Sequence, residues 1–202
     1  MCNFTTGAVL AIGSKLDAKF LTPASPPKVI GLMGKAGSGK DLVGALLRMQ
    51  GYKRLAFADA VRDEVTRAVV SGVIPFGFEP WAELLDGATA EEVWEKPTTE
   101  RMRKVLQLWG TEFRREQCSN YWVEKVRRQV GKGRWVVTDV RFPDEVEMIR
   151  ALGGKIWRIN RSSLASVNGH VSEIACDGVI ADVGIPNNGT LYELAEIVSA
   201  SI

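Results

Sequence analysis

Between residues 31 and 41 the chain reads GLMGKAGSGKD. Gly34, Gly39 and Lys40 occupy the fixed positions of the G-x-x-x-x-G-K phosphate-binding pattern, but Asp41 stands where that pattern has Ser or Thr. An apolar run, KVIGLM (28–33), precedes the loop, and a helical pattern closed by Gly51 follows it. A strand turning through glycines into a helix leaves backbone N–H groups converging on one point, which favours phosphate oxygens. Gly37 and Gly39 permit close backbone approach and positive φ. Lys40 is placed to neutralise the β- and γ-phosphates of a nucleoside triphosphate. The candidate phosphate-binding set is Gly34, Ala36, Gly37, Ser38, Gly39, Lys40 and Asp41. The Asp41 carboxylate is a hard oxygen donor that suits Mg2+, directly or through its waters, and it can also cap the helix. This letter argues against the ordinary GTPases and motor ATPases.

Further anion-binding residues recur down the chain. Asp59 and Arg62 lie at a strand end and in the first turn of a helix, Arg103 lies in a helix leading to QLWGTE, and Arg141 follows a strand end at Asp139. Several arginines aimed at one crevice suggest a second phosphate, because the guanidinium fork matches phosphate geometry. A lone arginine is more commonly a solvated helix charge, Asp139 could simply cap the next helix, and Trp109 and Trp122 at helical spacing are more often core. The combination with the glycine loop favours the site.

The elements that would position these residues alternate. Strands are expected at 28–33, 53–58, 134–139 and 155–160, with a last short one near 179–186. Helices are expected after the loop and at 59–70, 98–113, 119–133, 143–154 and 190–200. Residues 71–98 lack a clean period and read as an irregular insertion, and 1–27 end in TPASPPK and read as an arm or linker. The pattern predicts one α/β domain over 28–202, a parallel sheet with helices on both faces. Ligands of such sheets bind beyond the carboxyl ends of the strands, where Gly34–Asp41, Asp59 and Asp139–Arg141 fall.

The totals agree with a globular domain: 202 residues, 46% hydrophobic and 25% charged. A net charge of +2 sets up no global field that demands nucleic acid. VRRQVGKGRW (126–135) is the single basic stretch with an aromatic, and it reads as an exposed helix end. Cys2, Cys118 and Cys176 are odd in number and widely spaced, which fits a reduced cytoplasmic compartment better than a disulfide framework. No apolar run approaches the ~20 residues of a membrane helix, and no basic residue precedes the apolar patch near the N-terminus, so neither span nor signal peptide is expected.

GxxGxGKD, LAFADAVRDEV, RKVLQLWGTEFRRE with YWVEKV, VVTDVRFPDEVEMIRALGGKIWRINR, NGHVSE and GIPNNGTLYEL follow one another in this order. Over about residues 28–200 this succession resembles the deoxynucleoside monophosphate kinases of bacteriophages. The glycine loop is unspecific, whereas the LQ-x-x-GTE…YW and D-V-R-F-x-x-E blocks are more specific. The resemblance implies a P-loop NTPase-like fold of the nucleoside monophosphate kinase type. It implies transfer of the ATP γ-phosphate to a deoxynucleoside monophosphate with Mg2+, often by a homodimer, in the host cytoplasm if phage-encoded. By motif, Gly37 to Asp41 would hold the ATP phosphates and the metal, and Arg62 and Arg103 the acceptor phosphate. Gly110, Thr111 and Trp122 would form the acceptor pocket, with Trp122 against the base. Asp139, Arg141 and Glu145 would hold and orient the acceptor nucleotide, and His170 and Glu173 match an H-x-x-E near the active site. Lys40, Arg103, Asp139 and Arg141 are the expected catalytic groups; from position alone, Arg158 or Arg161 would reach the transferring phosphate from a lid. Gly37 stands where relatives can carry a basic residue, and residues 71–98 match poorly, so base selectivity stays open. Dephospho-coenzyme A kinase and phosphomevalonate kinase are the alternatives within the fold; a nucleotide-binding regulator or a DNA-dependent ATPase is the alternative outside kinases. The LQ-x-x-GTE block favours the nucleotide kinase.

Overall fold

The computed structural model describes residues 26–162 and 178–202. Its strands are β1 (Val29–Met33), β2 (Tyr52–Leu55), β3 (Arg134–Val137), β4 (Lys155–Asn160) and β5 (Val183–Pro186). They form one parallel sheet in the order β2-β3-β1-β4-β5, with β1 at the centre. The helices are α1 (Lys40–Met49), α2 (Phe57–Ser71), α3 (Ala90–Trp94), α4 (Glu100–Gln107), α5 (Arg114–Gln117), α6 (Tyr121–Arg127), α7 (Pro143–Ala151) and α8 (Leu191–Ala200).

Every residue of β1 is buried, as a strand covered on both faces requires. Its side chains alternate between two cores. Ile30 and Leu32 pack with Val43 and Leu47 of α1 and with Leu194 and Val198 of α8. Val29 and Met33 belong to the opposite core, with Val65 of α2, Val105 of α4, Val126 of α6 and Ile149 of α7. The expected α/β parallel sheet with helices on both faces is therefore present, and the glycine loop of residues 34–41 follows its central strand.

Several boundaries differ from the sequence pattern for identifiable reasons. The strand expected at 53–58 stops at Leu55, and α2 starts at Phe57 because Asp139 caps it from the neighbouring strand end. The helix expected over 98–113 ends at Gln107 and widens into a π-helical turn, Leu108–Phe113, that runs into α5. From this turn Trp109 and Phe113 both pack on Phe78, at centroid distances of 4.5 and 5.4 Å. Phe78 belongs to the 71–98 insertion, which holds a 3-10 stretch (Glu79–Leu85) and α3 and is anchored by buried Phe78, Leu85 and Val93. These anchors are too irregularly spaced to make a period. α6 and α7 are shorter than the 119–133 and 143–154 expected for them, and β5 is shorter than 179–186. β4 has the expected bounds, and α8 starts one residue late, capped reciprocally by Thr190 and Glu193.

Candidate active site

Past Met33 the chain turns over the carboxyl end of β1. Gly37 and Gly39 adopt left-handed backbone, with φ 76° and 99°. At Gly39 a side chain is excluded a second time, because its Cβ would lie 2.2 Å from Asn187 Nδ2. Asn187, in the turn after β5, donates that amide to the Ser38 carbonyl at 2.8 Å and so clamps the loop. Lys40 folds back over the turn, its Nζ donating to the carbonyls of Gly34 (2.7 Å) and Lys35 (2.8 Å). Ser38 is buried, and its hydroxyl has no hydrogen-bond partner among the described residues. α1 begins at Lys40 with no side chain capping its first turn, and Asp41 is exposed there. A left-handed glycine turn, an uncapped helix start, an orphaned buried hydroxyl and an ammonium beside them fit a polyphosphate. Among the described residues, no group of three or more metal-ligating side chains could hold a cation alone. One carboxylate suits Mg2+, which keeps several waters and shares phosphate oxygens.

A cavity of about 510 Å3 opens beside the loop, and Ala36 of the loop is part of its wall. Four arginines line it: Arg62, Arg103 and Arg141, from three separate segments, and Arg115. Arg62 is buried in α2; its guanidinium donates to the Val93 carbonyl and, at 2.8 Å, to Thr98 Oγ1. Burial pulls its pKa down, countered by Asp59; an arginine so shifted is still a cation at neutral pH. The 71–98 insertion thus orients one of the site's cations. Arg103 on α4 is exposed, and its guanidinium has no hydrogen-bond or ion-pair partner among the described residues.

Gly110, Thr111 and Trp122 form another part of the wall. Trp122 is buried and donates Nε1 to the Gly110 carbonyl at 2.8 Å, so the indole is fixed in position. Asp139 also lines the cavity, but it caps α2 rather than the helix that follows it: Oδ1 accepts the Phe57 N–H at 2.9 Å and Oδ2 the Ala58 N–H at 2.8 Å. Burial pushes its carboxyl above the usual range, and those two N–H groups and Arg141 oppose the shift. Glu145, on α7, is 2% exposed. Its Oε2 accepts the backbone N–H of Arg141 at 2.7 Å and of Phe142 at 3.2 Å. Burial pushes the Glu145 carboxyl up to about 8, against the pull of these bonds and of Arg115.

The structure therefore gathers Ala36, Arg62, Arg103, Gly110, Thr111, Trp122, Asp139, Arg141 and Glu145 around one cavity. Asp59 stands apart, paired with Arg54, and does not line it. Arg158 donates to the Val179 carbonyl at 2.8 Å, and neither it nor Arg161 lines the cavity. His170 and Glu173 lie outside the described residues. Sequence reading missed the apolar walls Phe57, Val61, Leu106 and Phe142, and it missed Gln107 and Arg115. Leu106 and Gln107 fall inside the quoted LQ-x-x-GTE block, and that block was the available signal. Nothing local marked Arg115, whose partners Asp144 and Glu145 lie 29 and 30 positions away.

The family model for deoxynucleotide monophosphate kinase matches residues 84–198, a stretch that holds Arg103, Trp122, Asp139 and Glu145 and leaves out the phosphate loop. A protein of Acanthamoeba polyphaga mimivirus, provisionally named a deoxynucleotide monophosphate kinase, is 28% identical over 190 residues, covering 85% of this chain and 94% of that protein. Its source is a mimivirus, not a bacteriophage. Among solved structures, a dephospho-CoA kinase from Campylobacter jejuni aligns at 11% identity and a TM-score of 0.48, over 86% of this chain and 95% of that one. A gluconokinase from Sinorhizobium meliloti 1021 aligns at 18% identity and a TM-score of 0.43, over 86% and 90%. No helix of the described residues is long and apolar enough to cross a membrane. Because the family model spans more than half of the chain, this chain is a phosphotransferase that belongs to the deoxynucleotide monophosphate kinase family.

Proposed function

We propose that this kinase transfers the γ-phosphoryl group of ATP to a deoxynucleoside monophosphate, giving a deoxynucleoside diphosphate and ADP. One observation carries the reading: Ala36 belongs both to the phosphate-binding loop and to the wall of the cavity that four arginines line. A triphosphate held by Gly37 to Asp41 would end where that cavity begins. Phosphoryl transfer is mainly positioning and charge neutralisation, so cations around both substrates are what the chemistry needs.

In this reading Lys40 leaves the loop carbonyls for the β- and γ-phosphates, and Asp41 takes the Mg2+ side of the triphosphate. Mg2+ when bound neutralises charge on the β- and γ-oxygens. Arg62 and Arg103 hold the acceptor phosphate, and Arg141 approaches the group in transfer. An oxygen of the acceptor phosphate forms the new bond to the γ-phosphorus, the bond to the β,γ-bridging oxygen breaks, and ADP leaves. The indole of Trp122, fixed through Gly110, faces the base, with Thr111 beside it. Asp139 and Glu145 orient the nucleotide.

The test is ADP release with ATP and Mg2+ against a panel of acceptors. The panel holds the four deoxynucleoside monophosphates, their ribo forms, dephospho-coenzyme A, phosphomevalonate and a blank without acceptor. Turnover with a deoxynucleoside monophosphate well above the blank supports the reading and names the base. Turnover confined to another acceptor discards the pocket roles and keeps the loop. ADP release that needs no acceptor means hydrolysis.

A further inference from the structure

We infer that Arg115 is a positioning residue for the acceptor site: by bridging the carboxylates of Asp144 and Glu145 it holds the turn that carries Asp139 and Arg141. The inference deepens the proposed function and rests on it for the identity of the acceptor.

Arg115 lies on the short α5, in the wall of the cavity. Its Nη1 donates to Asp144 at 2.7 Å and its Nη2 to Glu145 Oε1 at 2.5 Å. The guanidinium also lies 3.9 Å from the centroid of the Phe142 ring, and Nη1 reaches the Ser119 carbonyl at 3.4 Å. The pair is secluded, with side chains 13% exposed for Arg115 and 3% for Glu145.

Glu145 works as a two-sided clamp. One oxygen is held by Arg115, and the other accepts the backbone N–H of Arg141 and Phe142. A buried polar group is costly wherever its hydrogen bonds are left unmade, so each oxygen of this carboxyl needs its donors. Without Arg115 the Glu145 carboxyl would lose the donor at Oε1 and the cation that favours its charge, while Asp139 and Asp144 still oppose that charge. With Oε1 no longer held, the carboxyl group can turn, and Oε2 loses its fixed line to the two N–H groups. The turn at 139–142 would then loosen, and with it the placement of two residues in the acceptor site.

The residue type matters. A planar guanidinium can serve two carboxylates and stack on a ring at once, whereas an ammonium is a point charge. The remaining charges of the site do not substitute for it: Arg62 is committed to Val93 and Thr98, and Arg103 has no carboxylate partner among the described residues.

The experiment compares Arg115→Ala and Arg115→Lys with the wild type by steady-state kinetics and by amide hydrogen exchange. Arg115→Ala is expected to lower kcat/KM for the acceptor by about tenfold or more while the KM for ATP stays within about twofold. Arg115→Lys restores part of the loss. Combining Arg115→Ala with Glu145→Gln should cost less than the two single losses together, because both act through one clamp. Exchange at the Arg141 and Phe142 amides should quicken by about tenfold in Arg115→Ala. This last readout needs no turnover, so it decides the inference even if the wild type uses no deoxynucleoside monophosphate and the functional reading fails. Unchanged exchange at 141–142 overturns the inference, as do equal losses for ATP and acceptor that Arg115→Lys does not relieve.

Discussion

Replacing Glu64 by glutamine removes one charge from a buried hub of hydrogen bonds. Glu64 lies on α2 and is 8% exposed. One carboxylate oxygen accepts from Trp109 Nε1 (3.1 Å) and Arg114 Nε (2.9 Å), and the other accepts from the Tyr121 hydroxyl and Lys125 Nζ. Burial alone would raise this carboxyl; the bonds from Lys125, Tyr121, Trp109 and Arg114 outweigh it and hold the pKa at about 2, against an ordinary 4.5. At about 1.4 kcal/mol per unit, that displacement corresponds to about 3 kcal/mol of folding stability carried by the ionised form. Arg114 and Lys125 keep side-chain exposures of 21% and 27%, so screening trims the figure to about 2 kcal/mol.

A carboxamide keeps the shape but aims an NH2 group at donors that need an acceptor, so Glu64→Gln should cost about 2–3 kcal/mol in urea unfolding at pH 7 with an unchanged m-value. The pH dependence follows from the sign of the shift. The folded pKa is depressed, so the stabilisation is complete above the unfolded value of 4.5 and is lost as pH falls toward about 2. The gap between wild type and variant should therefore be constant from pH 7 to 5.5 and close between about pH 4.5 and 2. Other carboxylates titrate alike in both proteins and cancel in the difference. A gap below about 0.5 kcal/mol at pH 7, or one that stays constant down to pH 2.5, would refute the reasoning.

Three further outcomes are expected. Lys40→Ala should lower kcat by about 10²–10³ and leave the unfolding midpoint close to that of the wild type, because its bonds to Gly34 and Lys35 stay within the loop; near-normal turnover would remove the role given to the loop. Arg103→Ala, at an exposed residue without described partners, should raise the acceptor KM by about tenfold with stability and the KM for ATP unchanged; equal losses for both substrates would contradict its role. Gly39→Ala should weaken nucleotide binding and lower stability by about 1–3 kcal/mol, since the new Cβ meets Asn187 at a φ of 99°; calorimetric titration with a non-hydrolysable ATP analogue and thermal unfolding read the two effects.

The sequence by itself determined the glycine loop and the alternation of strands and helices. These depend on short-range facts: glycines where φ must be positive, an unbroken apolar run for a strand covered on both faces, and a capping pair such as Thr190 and Glu193 at the start of α8. Tertiary structure decided what depends on distant partners. α2 begins at Phe57 because Asp139, 82 positions away, offers its carboxylate to the first N–H groups. The helix expected to run to residue 113 widens at Leu108–Phe113, where Trp109 and Phe113 pack on Phe78 of an aperiodic insertion. Asp59, placed by pattern in the crevice, pairs instead with Arg54. Arg115 gave no local sign, since its meaning lies in two carboxylates brought to it by the packing of α7 beside α6. Periodicity reports which face of an element is buried; the identity of the group that meets a buried charge is set by the fold, because an ion pair needs proximity in space and leaves no spacing rule along the chain.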